Sequence, residues 1–126
     1  MINQTITLTL GGKERTLLFG VNGYYNYIEE ATKKDAFEWL SEFDKKRDES
    51  TNGMIKIITK DIVPIVYAGL NSQLDSLDLP NESLDKVKKW CNAITPEVAA
   101  DIFKTAFGTK EQQGELMLQA EQKNRN

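Results

Sequence analysis

Thr5-Ile6-Thr7-Leu8-Thr9-Leu10-Gly11-Gly12-Lys13-Glu14-Arg15-Thr16-Leu17-Leu18-Phe19 decides the fold class. Ile6, Leu8 and Leu10 alternate with Thr5, Thr7 and Thr9, and a period of two places the apolar set on one face of a strand. Gly11-Gly12 tolerates the positive φ of a two-residue hairpin turn, so Lys13 to Phe19 reads as the return strand. A lone hairpin is marginal in water, and its apolar face must pack on other elements. The rest of the chain is helical in period. The expected fold is therefore α+β and mainly helical, with an N-terminal β-hairpin (4–19) packed on a bundle of about five helices within 22–107. Residues 1–109 read as one globular domain and 110–126 as a polar C-terminal tail.

Beyond the hairpin, Gly20 ends the return strand and Asn22 offers a side-chain oxygen to cap a helix. Tyr24, Tyr27, Ile28 and Ala31 form that helix's apolar stripe. Thr32 to Lys34 breaks it, and Asp35 caps a second helix with the stripe Ala36, Trp39, Leu40 and Phe43. The polar stretch Lys45 to Gly53, ending Ser50-Thr51-Asn52-Gly53, reads as a loop. Met54 to Leu74 is apolar around most of a helical circumference, which predicts a central buried helix. Pro64 lies inside it and predicts a kink or break near Lys60 to Asp61.

Leu79-Pro80-Asn81 reads as a turn, with Pro80 or Asn81 opening a helix whose stripe is Leu84, Val87, Cys91 and Ile94. Thr95 and Pro96 suit the cap and first position of a further helix, with Ala99, Ile102, Phe103 and Ala106 on its stripe. Gly108 suits the position just past its end.

Several function classes are disfavoured by composition. The 126 residues carry no histidine and one cysteine. The commonest general base and zinc ligand are thus missing, and neither a disulfide framework nor a thiolate metal site can form within the chain. A net charge of −3 and a pI near 5.0 argue against a general nucleic-acid binder. Ile62 to Leu70, the longest apolar stretch, is too short to span a bilayer, and the N-terminus does not read as a leader. No catalytic, cofactor-binding or metal-ligating residues are assigned, and an enzyme is not expected.

The groups that invite a chemical reading have plainer ones. Glu29-Glu30 and Asp75 with Asp78 fall on expected polar helix faces, as a solvated charge surface would. Lys45-Lys46-Arg47 and Lys86, Lys88, Lys89 lack interleaved aromatics, so solvation explains them better than phosphate contact. Cys91 sits on an apolar stripe and reads as a small buried hydrophobe.

Three features remain. Tyr25 projects away from the Tyr24/Tyr27/Ile28 face, and Phe37 is displaced from the Trp39/Leu40/Phe43 face. Either another element covers these rings or they are left for a partner. Leu116-Met117-Leu118 is an apolar triplet in a polar tail. It either docks back on the domain or orders on a partner, and the second reading is preferred. The partner-binding candidates are thus Tyr25, Phe37, Leu116, Met117 and Leu118.

The order of these pieces resembles a known family. A hairpin runs into Leu18-Phe19-Gly20-Val21-Asn22-Gly23, then a tyrosine-rich helix ending Ile28-Glu29-Glu30-Ala31. Ile65-Val66-Tyr67-Ala68-Gly69-Leu70 follows, then a helix and Ile94-Thr95-Pro96-Glu97-Val98. Over roughly residues 5 to 107 this is similar to the tail assembly chaperones of long-tailed bacteriophages and prophages; Pro64 departs from the family's apolar helix. The resemblance implies a chaperone of phage tail assembly that binds the tape-measure protein and helps recruit tail-tube subunits. It also implies residence in the cytoplasm of the bacterial host and absence from the mature virion. Partners would be the tape-measure and tail-tube proteins, with self-association open, and no nucleic acid, membrane or cofactor. The alternative is a structural tail component, a tube or connector protein retained in the virion. Members are often made in two lengths by ribosomal frameshifting, and Gln122-Lys123-Asn124 can be encoded by a slippery run of adenines.

Overall fold

The computed structural model describes residues 4–21, 23–49 (side chains to 45) and 62–107. Strand β1 (Thr5–Leu10) pairs antiparallel with β2 (Lys13–Leu18), in the register Ile6 opposite Leu17 and Leu8 opposite Arg15. Gly11 and Gly12 both hold positive φ, 60° and 79°, as the tight turn requires. The pleat divides the hairpin as its alternation predicts. Leu10 and Leu17 are buried, Ile6 and Leu8 pack against the core, and Thr7 and Thr16 join hydroxyls across the other face at 2.8 Å.

Five helices follow among the described residues: α1 (Tyr24–Thr32), α2 (Ala36–Glu49), α3 (Ile62–Ser76), α4 (Leu84–Cys91) and α5 (Pro96–Phe107). The fold is α+β and mainly helical, with the hairpin packed on the helices. Helix α3 is central. Every residue from Ile62 to Ser72 except Pro64 is buried, and α3 packs against α1, β2 and α4. A helix buried on all sides needs apolar residues all round, the pattern read from its sequence. It runs without a break through Pro64, which falls in the first turn of the described helix, where proline is tolerated. The break expected at Lys60 to Asp61 lies outside the described residues.

Close approach of the hairpin depends on Gly69. A Cβ built there would lie 2.9 Å from Phe19 Cε1 and 3.0 Å from Leu17 Cβ. The helix backbone therefore stands almost against the hairpin's buried side chains. On the strand, Arg15 shares the core-facing side with Leu17. Its Nε donates to the Leu10 carbonyl at 2.9 Å, and its guanidinium lies 4.3 Å from the centre of the Trp90 ring. The cation is thereby kept partly buried against an aromatic face.

Four expected boundaries move, each for a local reason. Lys45 to Glu49 continue α2 instead of opening a loop; lysine, arginine and glutamate favour helix and can extend one without a core to bury. Gly23 holds the cap position of α1, with no side-chain cap bond, while Asn22 lies outside the described residues. Helix α4 starts at Leu84, not at Pro80 or Asn81, because the Ser83 hydroxyl accepts the Lys86 N–H at 3.3 Å. The return strand ends at Leu18, although the Phe19 N–H still bonds the Gln4 carbonyl at 2.8 Å.

Other caps fall where expected. Asp35 accepts the Glu38 N–H at 3.0 Å and Thr95 accepts the Val98 N–H at 3.2 Å. Lys33 takes the left-handed conformation that closes α1, φ 61°. Gly108 lies outside the described residues.

Candidate functional site

The two off-stripe aromatics meet. Tyr25 near the start of α1 and Phe37 near the start of α2 stack with ring centres 4.7 Å apart and planes 28° from parallel. The left-handed Lys33 and the Asp35 cap form the turn between the two helices that carry these rings. Phe37 is 65% exposed, the most exposed large hydrophobic residue among those described. Tyr25 is half-buried and continues inward edge-on to Tyr24, which stands edge-on to Phe19. A run of rings thus leads from solvent into the core. Of the two rings, Tyr25 is partly covered by neighbouring elements and Phe37 is left in solvent.

Beside these rings lies a groove of about 500 Å³, within the size range of sites that take ligand side chains. Phe19, Gly20 and Tyr24 contribute from the hairpin end and α1, Phe37, Leu40, Ser41 and Asp44 from α2, and Thr105, Ala106 and Phe107 from α5. The α5 side is braced from beneath, because Phe43 stacks on Phe107 at 5.5 Å and meets Phe103 edge-on at 5.2 Å. Gln4, Ser41, Asp44 and Thr105 supply polar groups. Rings and aliphatic carbon backed by a rigid core suit the capture of apolar side chains, with the polar groups orienting what enters. Leu116, Met117 and Leu118 lie outside the described residues.

Glu29, Glu30 and Asp75 have specific work in holding helices together. The Tyr67 hydroxyl donates to Glu30 Oε1 at 3.0 Å, tying α3 to α1. The Tyr27 hydroxyl donates to Asp75 Oδ2, and Asn81 Nδ2 donates to Asp75 Oδ1 at 2.9 Å. Glu29 Oε2 accepts the Ala36 N–H at 3.2 Å, at the start of α2. Tyr27 and Tyr67 stand edge-on, 5.8 Å between ring centres. The carboxylates of Glu29, Glu30 and Asp75 are therefore more than a solvated face. Among the described residues no cluster of histidine, cysteine, aspartate and glutamate could hold a metal ion. Burial pushes the Cys91 thiol up to about 12, so it stays protonated at neutral pH, as a small core hydrophobe would.

The tyrosines give this cluster an alkaline signature. Partial burial, then the hydrogen bond to Asp75, pushes the Tyr27 hydroxyl up to about 12; partial burial, then the bond to Glu30, does the same to Tyr67. A phenol with a folded pKa above its unfolded value near 10 stabilises the fold fully below pH 10. That contribution is lost as pH rises through 12. Melting temperature should therefore hold steady up to about pH 10 on this account and fall between about pH 10 and 12. In Tyr27→Phe/Tyr67→Phe the fall over that window should be shallower. An equally steep fall in the double variant would place its origin elsewhere.

No described helix is long and apolar enough to cross a membrane. Compared with known proteins, the chain matches no family profile, no curated protein and no solved structure.

Proposed function

We propose that this chain is a bacteriophage tail assembly chaperone, which binds the tape-measure protein in the host cytoplasm and helps recruit tail-tube subunits. The observation that carries the binding role is the exposed Phe37, stacked on Tyr25 beside an aromatic-floored groove. The phage assignment is supported by the order of motifs, from Phe19-Gly20-Val21-Asn22 through Glu29-Glu30 to Tyr67-Ala68-Gly69-Leu70. A tape-measure chain is long and helical, and its apolar stripes aggregate unless covered. An amphipathic helix from it would set residues at i, i+3 and i+4 into the groove, with Phe37 as the ring it covers. The excess of acidic residues would keep the complex soluble.

Co-expression with a tape-measure fragment from the same genome should yield a soluble complex. Phe37→Asp should weaken it by about 30-fold, corresponding to a hot spot of about 2 kcal/mol. The circular dichroism of that variant should not change, since the ring is mostly in solvent. Failure of the wild-type pair to co-purify over a range of salt would sink the proposal. So would finding the chain in purified virions, which would make it a structural tail component.

A further inference from the structure

We propose that the groove reads charge as well as apolar shape: its occupant is an amphipathic helix carrying a lysine or arginine two turns from the apolar residue that covers Phe37, placed to pair with Asp44. This rests on the reading of the groove as a helix-binding site and names the chemistry of the helix that fits it.

The wall built by α2 sets the spacing. Phe37, Leu40, Ser41 and Asp44 all line the groove, and their spacing of i, i+3, i+4 and i+7 puts them on one face of α2. The wall therefore starts at an exposed ring and ends in a carboxylate two turns on, a rise of about 10 Å. A helix laid along it meets Phe37 with one side chain and Asp44 with another about seven residues away.

Charge fixes what that second side chain is. Asp44 is the one charged residue among the described residues that line the groove. Its surroundings have the same sign. From Ala36 to Asp44 the helix carries Glu38, Glu42 and Asp44 and no base. Asp101 lies one turn before the lining Thr105, on the same face of α5. Lys45 and Lys104 are the neighbouring bases, and neither lines the groove.

A docked helix covers Asp44 and takes water from it, which costs free energy unless the incoming side chain brings positive charge. Asp44 already has a partner within the chain, and a carboxylate, with about four acceptor sites, takes a second beside it. An acid at the same place on the incoming helix is repelled, so the groove rejects helices as well as selecting them. The rings alone would accept any apolar stripe. The carboxylate fixes register, because sliding the helix by one turn moves its cation about 5 Å away.

The test uses the full chain and synthetic helical peptides, with binding followed by calorimetry. Each peptide carries one leucine stripe on an alanine–glutamine background, with lysine or glutamate about seven residues before or after the central leucine. One lysine peptide should bind about tenfold more tightly than its glutamate twin. Asp44→Asn should erase that preference and leave the circular dichroism unchanged, and Asp44→Lys should reverse it. Twins that bind the wild-type chain equally would overturn the proposal while leaving helix docking in place. A preference that survives in both variants would also overturn it, by putting the cation's partner elsewhere. Peptides that do not bind at all would remove the groove as a helix site, and with it both this proposal and the binding role given to Phe37.

Discussion

Gly69→Val should lower stability by about 3 kcal/mol or more, and Gly69→Ala by much less, in denaturant melts of otherwise wild-type chains. The two substitutions set opposing effects against each other. Glycine inside a helix costs roughly 1 kcal/mol relative to alanine, so any side chain at position 69 recovers part of that. Against it stands the hairpin. A single added carbon meets Phe19 Cε1 at 2.9 Å and Leu17 Cβ at 3.0 Å. Both neighbours are buried, and the Phe19 ring is held edge-on to Tyr24, so neither moves without disturbing the core.

Overpacking a tight core costs roughly 1–3 kcal/mol, which for alanine leaves a small net loss after the helix gain. Valine adds two more branches to a site with no room for the first. The hairpin must then lift from α3, which exposes Leu17 and Phe19 and forfeits roughly 1.5–3 kcal/mol for each side chain returned to water. The order of the two losses is the decisive reading. A valine variant as stable as the alanine one would mean that the hairpin does not rest on α3 as closely as described.

How much of this was legible beforehand depended on whether a residue's role was local. The alternation Ile6, Leu8, Leu10 and the Gly11-Gly12 turn are local, and both strands formed there, the return strand one residue shorter than expected. The cap at Thr95-Pro96 is local too. Tyr25 and Phe37 could be singled out because each lies off its own helical stripe, a property of one helix at a time. Their stacking depends on how α1 and α2 turn about Lys33, and the groove beside them depends on α5 arriving from the far end of the chain. No periodicity carries those distances. The same limit hid the role of the acids. Glu30 and Asp75 look like solvated charge in isolation, and only the crossing of α1 with α3 brings tyrosines to them. Gly69 could be quoted as part of a motif, yet nothing in the motif says that a strand presses on it.

Asn71→Ala should be the most damaging truncation of a polar side chain in the fold, with a loss of roughly 2–4 kcal/mol. Asn71 is fully buried on α3, a polar residue near the end of the helix's buried run. Its amide satisfies both backbone groups of Glu82: Nδ2 donates to the Glu82 carbonyl at 3.2 Å, and Oδ1 accepts the Glu82 N–H at 2.8 Å. This pair stands in for one rung of a sheet. It holds the connection that turns from α3 into Ser83, the cap of α4, and so fixes where Val87 and Cys91 enter the core. Alanine leaves two half-buried backbone groups without partners and a cavity beside them.

Asn71→Asp separates the electrostatic part from the cavity. The carboxylate can still accept the Glu82 N–H, but it faces the Glu82 carbonyl without a proton to give, and burial disfavours its charge. Its folded pKa should therefore lie above the unfolded value near 3.9. The stabilising contribution of the protonated form is present below the unfolded pKa and lost as pH rises through the folded one. This variant should accordingly regain stability relative to wild type as pH falls from 7 toward 4, whereas Asn71→Ala should show no such recovery. Parallel pH profiles for the two variants would show that the amide does not hold Glu82 in the way its geometry indicates.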